Sequence, residues 1–293
     1  MLNIFKSMFF SFKSSALKPL ILVSVTLCGM ITGSAIAAET KDWNRSNETN
    51  KNIISHQPWQ QILDRYLETN TPSKVNLFRY GSVSKTDRAT LESYLKMLQK
   101  TDPRNYSKAE QESYWINLYN ALTVELILKN YPVKSITKLG ESIFSFGPWD
   151  DNATTVAGHK LSLNDIEHKI LRPIWKDPRI HYAVNCASFS CPNLSSKAFT
   201  SANTNELLEN GAHAYVNHPR GVTLKKDDLL LSSIYDWYID DFGGNNKSLL
   251  KHLKHYAEPT LKKQLEQFEK ANSGDIDHDY DWSLNKPSTS SPK

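Results

Sequence analysis

Between Asp177 and Leu194 the chain reads DPRIHYAVNCASFSCPNL, which concentrates two cysteines, a histidine and an asparagine in one short stretch. Those residue types support four chemistries. Cys186 and Cys191 lie five positions apart and can close a disulfide that pins the loop Ala187–Ser190. So small a loop gains less than the ~3 kcal/mol expected for a loop of about 15 residues, so its role would be local shape. Alternatively Cys186 is a nucleophile. A thiol nucleophile needs a lowered pKa, a neighbouring base, and a third group that orients the base. His181 or His168 can be that base, with Glu167, Asp165 or an asparagine as the orienting group. A zinc site from the two cysteines and a histidine is the third chemistry, although C-x4-C is wider than the usual knuckle. Thiol–disulfide exchange is the fourth, and it lacks a C-x-x-C motif.

The elements around this stretch must position those groups. Ile180 to Ala187 is expected to be the central strand, with His181, Ala183, Asn185 and Ala187 on one face and Tyr182, Val184 and Cys186 on the other. Ser162, with Asp165 three residues on, is expected to cap a helix running to Arg172. Leu163, Ile166, Ile170 and Ile174 share its inner face. Glu167 falls at the edge of that face and needs a partner, which Arg172, Arg179 or a histidine can supply. On an α-helix Glu167 and His168 point about 100° apart, so one is expected to meet His181 while the other anchors the helix.

The strongest element is the helix before these. Ser107-Lys108-Ala109-Glu110 is a capping box, and Pro132 ends the pattern at the far side. Between them runs ESYWINLYNALTVELILKN, apolar nearly all round, as in a helix surrounded by protein. Asn117 and Asn120 sit one turn apart inside it. A buried carboxamide left unpaired costs ~1–3 kcal/mol, so each must bond something definite. Either they tie loops to the helix or they line a cleft.

Other elements follow by periodicity and punctuation. Helices are expected from Pro58-Trp59, over Ser84–Lys100, over Glu206–Val216, from Ser232 or Ser233 to Gly243-Gly244, and as a pair over 247–270 broken at Pro259. Hairpins are expected over Thr154–Ser162 and over Val222–Leu231. Val75–Tyr80 and Tyr280–Leu284 read as further strands. Trp149, Trp237 and Trp282 read as core anchors, His159 as a loop residue, and His213, His218, His252 and His255 as surface residues.

The N-terminus reads as a secretory signal: Lys6, Lys13 and Lys18, an apolar run from Pro19 to Gly33, then Ala35-Ile36-Ala37. An uncleaved anchor, or a lipid on Cys28, is the alternative. Removing residues 1–37 takes away three lysines and no acids, leaving 32 basic against 31 acidic residues. A near-neutral chain offers no electrostatic footprint for nucleic acid or an anionic membrane. Residues 38–57 are expected to be a flexible lead-in, 58–285 one domain, and 286–293 a disordered tail.

WINLYNA at Trp115–Ala121, LNDIEHKILR at Leu163–Arg172, DPRIHYAVNCASFSCPNL and DWSLN at Asp281–Asn285 together resemble the domain-of-unknown-function family 547. The resemblance spans roughly Lys85 to Asn285 and implies no established activity. The expected fold is α+β, with helices around a small, mainly antiparallel sheet; an α/β parallel sheet is the alternative. A buried helix followed by such a sheet is also the layout of papain-like and transglutaminase-like folds. There, however, the nucleophile starts the central helix, where this chain has Tyr114, Trp115 and Asn117.

The expected site is a cleft with His181, Glu167, His168 and Cys186 as catalytic groups and Asn117, Asn120, Asn185 and Arg172 as binding groups. The expected activity is hydrolysis or acyl transfer in the cell envelope, in the periplasm or outside the cell. A non-catalytic binding module using the same cleft is the alternative. The ligand class is a small molecule or peptide, with no nucleic acid, no membrane once the signal is removed, no metal and no cofactor.

Overall fold

The structure, a computed structural model, describes residues 42–140, 146–225, 228–271 and 274–288. The signal-like residues 1–37 and the tail end 289–293 lie outside the described residues.

Helix α1 (Gln57–Tyr66) leads by the short strands β1 (Leu67–Glu68) and β2 (Leu77–Phe78) into α2 (Lys85–Lys100) and α3 (Lys108–Asn130). Ser84 and Ser107 cap α2 and α3 by accepting the N–H of Asp87 and Glu110, satisfying donors that a helix start otherwise strands. In α3 every residue from Ser113 to Val124 is buried. Twelve consecutive buried positions cover more than three turns, so no face meets water. The segment expected as a lead-in instead packs here: Trp43 is 1% exposed and Ile54 6%. Trp43 sets its ring edge-on to Trp115 at 5.1 Å, and large apolar groups of that kind do not stay in solvent.

The hairpin expected over Thr154–Ser162 forms, β3 (Thr154–Val156) and β4 (His159–Leu161) turning at Ala157-Gly158. The following helix starts with a reciprocal box: Asp165 N–H donates to Ser162 Oγ, and Ser162 N–H donates to Asp165 Oδ2. Its body is not α. Asp165–Leu171 is a π-helix, with Arg172 N–H donating to Glu167 O five residues back; it continues into α4 (Arg172–Trp175). Pro173 suits the wider turn, since its ring lacks an N–H and crowds the carbonyl four residues earlier.

The expected central strand over Ile180–Ala187 does not form. Pro178–Tyr182 is a 3₁₀ helix whose first turn is capped by Asp177, which accepts the Arg179 N–H. The start signal Asp-Pro, a cap followed by proline at the first helical position, outweighed the alternation of apolar residues. Beyond it the chain runs as a buried loop to Leu194, with Ala187 left-handed at φ 58°.

The rest forms a second apolar cluster. It comprises α5 (Thr204–Val216), the strands β5 (Val222–Lys225) and β6 (Asp228–Ser232), α6 (Ile234–Trp237), α7 (Asn246–Tyr256), α8 (Pro259–Ala271) and β7 (Ile276–Asp279). β6 pairs with β5 antiparallel and with β7 parallel. The last strand therefore lies before Tyr280, and of Tyr280–Leu284 only Leu284 makes a bridge, to Ser188. The fold is α+β, and its small sheets are separate rather than one. Trp115 and its neighbours on α3 centre the first cluster, while Tyr182, Tyr215 and Tyr235 belong to the second.

Candidate active site

A pocket of about 180 Å³ opens along the seam between the two clusters. Tyr119 reaches it from α3, Glu167 and His168 from the π-helix, His181 from the 3₁₀ turn, and Cys186 and Cys191 from the buried loop. Ile234 and Trp237 of α6, Tyr238, Tyr280 and Trp282 enter from the second half, with Phe146, Trp149 and Asp150 beside them. Glu167 and His168, adjacent in the π-helix, both line this cavity, and a π turn recurrently marks a functional site.

His181 is 3% exposed and is held from every side. Its Nε2 lies 2.6 Å from Asp241 Oδ2, its Nδ1 faces Glu167 Oε1 at 3.7 Å, and its ring stacks on Tyr238 with centroids 4.1 Å apart. Asp241 Oδ2 also accepts Arg172 Nε at 2.5 Å. Burial pushes the Asp241 carboxyl up, but the bonds from His181 and Arg172 outweigh it and hold the group well below the usual carboxylate range. Arg172 in turn places Nη1 2.9 Å from His168 Nδ1. A guanidinium only donates, so that nitrogen is an acceptor and His168 carries its one ring proton on Nε2. Burial above all holds the His168 pKa below its ordinary value, which agrees with the neutral ring.

Both cysteines are free in the structure, so the expected disulfide is not formed there. The Cys186 N–H donates to Cys191 Sγ at 3.0 Å. Cys186 Sγ lies 3.1 Å from the Ser188 hydroxyl and 3.2 Å from the Tyr280 hydroxyl. Burial pushes the Cys186 thiol up, but hydrogen bonds from Cys191, Ser188 and Tyr280 more than offset it and bring the pKa down to about 7. Burial sends Cys191 the other way, well above an ordinary thiol. The pair thus divides into one ionisable thiol and one that stays protonated.

The three tryptophans expected as core anchors, Trp149, Trp237 and Trp282, are only half-buried and line the pocket. Trp282 is their hub, with ring centroids 5.5 Å from Trp149, 5.5 Å from Trp237 and 4.5 Å from Tyr280. Leu284 and Asn285 fix that segment: the Leu284 N–H donates to Lys134 O, and the Asn285 N–H donates to Ala187 O.

The expected binding asparagines do not reach the pocket. Asn117 donates to Phe199 O and accepts the Phe199 N–H. Asn120 donates to Ala183 O and accepts the Asn185 N–H, and Asn185 donates to Pro192 O. These side chains replace the ladder that a strand would have supplied, because a buried loop must still satisfy its backbone groups. Arg172 stands behind the wall, bonded to Asp241 and His168. His252 is not a surface residue: its Nε2 lies 2.8 Å from the Tyr182 hydroxyl, and burial lowers its pKa to about 4. Among the described residues no group of three or more His, Cys, Asp or Glu is placed to hold a metal ion.

Asp241 and Tyr238 escaped the sequence reading. The signal present was the DDFGG run, in which Gly243 and Gly244 adopt φ 98° and 78°. Those glycines were legible as a helix stop, whereas the carboxylate just before them has no local pattern that pairs it with His181.

The family described as "Protein of unknown function, DUF547" matches residues 103–216 of the chain. Glu167, His168, His181, Cys186 and Cys191 fall inside the match; Trp237, Tyr238, Asp241, Tyr280 and Trp282 lie beyond it. No curated protein and no solved structure matches the chain.

Proposed function

We propose that the protein is an exported acyl-transfer enzyme or hydrolase that uses Cys186 as its nucleophile. The observation that carries this reading is the Cys186 thiol, brought to about 7 by hydrogen bonds from Cys191, Ser188 and Tyr280 on the wall of a pocket that also holds His181 and Glu167. A thiolate available near neutral pH is the requirement for nucleophilic catalysis. Its sulfur would attack the carbonyl carbon of an acyl donor, form the C–S bond and expel the leaving group. Water or an acceptor amine would then break that bond and restore the thiolate. His181, with Glu167 and Asp241 on its two nitrogens, is the pocket group suited to give the leaving group a proton and to take one from the incoming acceptor. Export rests on the basic leader, apolar run and Ala35-Ile36-Ala37 of the sequence.

The half-buried tryptophan wall favours a second reading, a binding module that uses the same pocket without chemistry. Incubation with p-nitrophenyl acetate separates the two. The enzyme reading expects a burst of nitrophenolate equal to the enzyme present and an acetyl group mapped to Cys186 by peptide mass spectrometry. Both should vanish in Cys186→Ser. Hydrolysis that is unchanged by that substitution, with no adduct on Cys186, would overturn the reading and leave the binding module.

A further inference from the structure

We propose that the pocket selects a substrate carrying a compact ammonium group, received between Glu167 and the tryptophan wall. The inference rests on the pocket being the substrate site and names the chemical class that it takes.

The carboxylates facing the cavity are Glu167 and Asp150, with His181 between Glu167 and Asp241. Glu167 is 4% exposed, and its carboxylate faces His181 Nδ1 at 3.7 Å, beyond hydrogen-bonding reach. A carboxylate so deeply buried needs a donor, and a ligand N–H is one that the cavity itself can admit. Asp150 adds a second carboxylate to the lining. Against these, no lysine or arginine stands on the wall among the described residues. Arg172 is turned behind it to Asp241, and His168 accepts from Arg172 and so contributes no charge. An anionic ligand would meet the Glu167 and Asp150 carboxylates, whereas a cation would meet Glu167 as a partner.

The aromatic faces point to the same class. Trp237 and Trp282 lie nearly parallel, at 21°, while Tyr280 and Trp149 incline to Trp282 at 51° and 63°. Faces set at such angles wrap a rounded group rather than offer one flat platform, and their quadrupoles attract positive charge. The arginines and lysines that stack on rings use Trp43, Trp175 and Tyr215 away from the pocket and Tyr238 on its wall. The wall of Trp149, Trp237 and Trp282 is left to a ligand. The volume of about 180 Å³ is close to that of a cavity that holds benzene, about 150 Å³. That suits a head group of a few heavy atoms.

The test titrates the full mature chain with choline and, separately, with its uncharged tert-butyl analogue, read by calorimetry and by tryptophan fluorescence. Choline should bind at least about tenfold more tightly, one decade in the dissociation constant. Glu167→Gln and Trp282→Leu, each verified as folded by its unfolding transition, should erase that preference. Methylammonium in a third titration distinguishes a primary from a quaternary head group. Equal binding of choline and the neutral analogue by the unsubstituted protein, or tighter binding of acetate than of either, would overturn the inference. Acetylation of Cys186 is read apart from this. If choline fails while Cys186 still takes an acetyl group, the ammonium class alone is wrong. If choline binds and Cys186 stays unmodified, the ammonium class stands and the acyl-transfer reading falls.

Discussion

His181 Nε2 and Asp241 Oδ2 lie 2.6 Å apart although 60 residues separate them in the chain. This contact joins the 3₁₀ turn, inside the DUF547 match, to a carboxylate outside it, so the site is completed by the second apolar cluster. Asp241→Asn keeps the shape but removes the charge that serves both His181 and Arg172. It should cost on the order of 1–3 kcal/mol of stability. The sign of the pH effect is fixed by the depressed Asp241 pKa. The native chain keeps this stabilisation above the unfolded carboxyl value of about 4 and loses it as pH falls further. In the variant that part of the acid limb should flatten, as read by urea midpoints across the acid range.

Two buried histidines set a separate, milder acid limb. His56 bonds the Tyr94 hydroxyl at 2.7 Å, His252 bonds that of Tyr182, and burial lowers both pKa values to about 4. The folded chain holds them neutral while the unfolded chain takes up protons below about 6.5. Stability should therefore be complete above about pH 6.5 and fall toward about pH 4, by at most ~1.4 kcal/mol per pH unit for each histidine. His56→Gln should reduce that slope in urea unfolding; an unchanged slope would contradict the assignment.

Asn120 carries the loop on which the cysteines sit. Asn120→Leu keeps the volume but strands Ala183 O and the Asn185 N–H, which should cost on the order of 1–3 kcal/mol for each group left unpaired. Hydrogen exchange should then accelerate at Asn185 and Ala187 before the rest of α3 responds. A neutral result in chemical unfolding would contradict the view that side-chain amides hold the loop.

These relationships mark what the sequence makes legible. The caps at Ser84, Ser107 and Ser162 and the all-round burial of α3 follow from local spacing, and the structure bears them out. The gathering of Glu167, His168, His181 and Cys186 was also approachable, because all four lie within one short span. The course of the loop was not. Alternating residues from Ile180 suggested a strand, and only a tertiary fact, two amides waiting on α3, makes an irregular path affordable. The tryptophan wall was misjudged for a similar reason: a half-buried ring and a core ring look alike until the facing cavity is known.

The proximity of the two thiols makes the pocket sensitive to oxidation. Cys186 N–H already donates to Cys191 Sγ, so diamide should join the pair and abolish modification of Cys186, with recovery on reduction by dithiothreitol. Labelling of Cys186 that persists at full strength after diamide treatment would show that the thiols do not meet.

The central claim is that Cys186 is an ionised nucleophile under neutral conditions, and the pH dependence of its alkylation tests this most directly. With limiting iodoacetamide and mass-spectrometric mapping, the rate at Cys186 should rise with a midpoint at about 7, while Cys191 remains unlabelled in the folded chain. A midpoint at the ordinary thiol value of about 8.5, or preferential labelling of Cys191, would contradict the account.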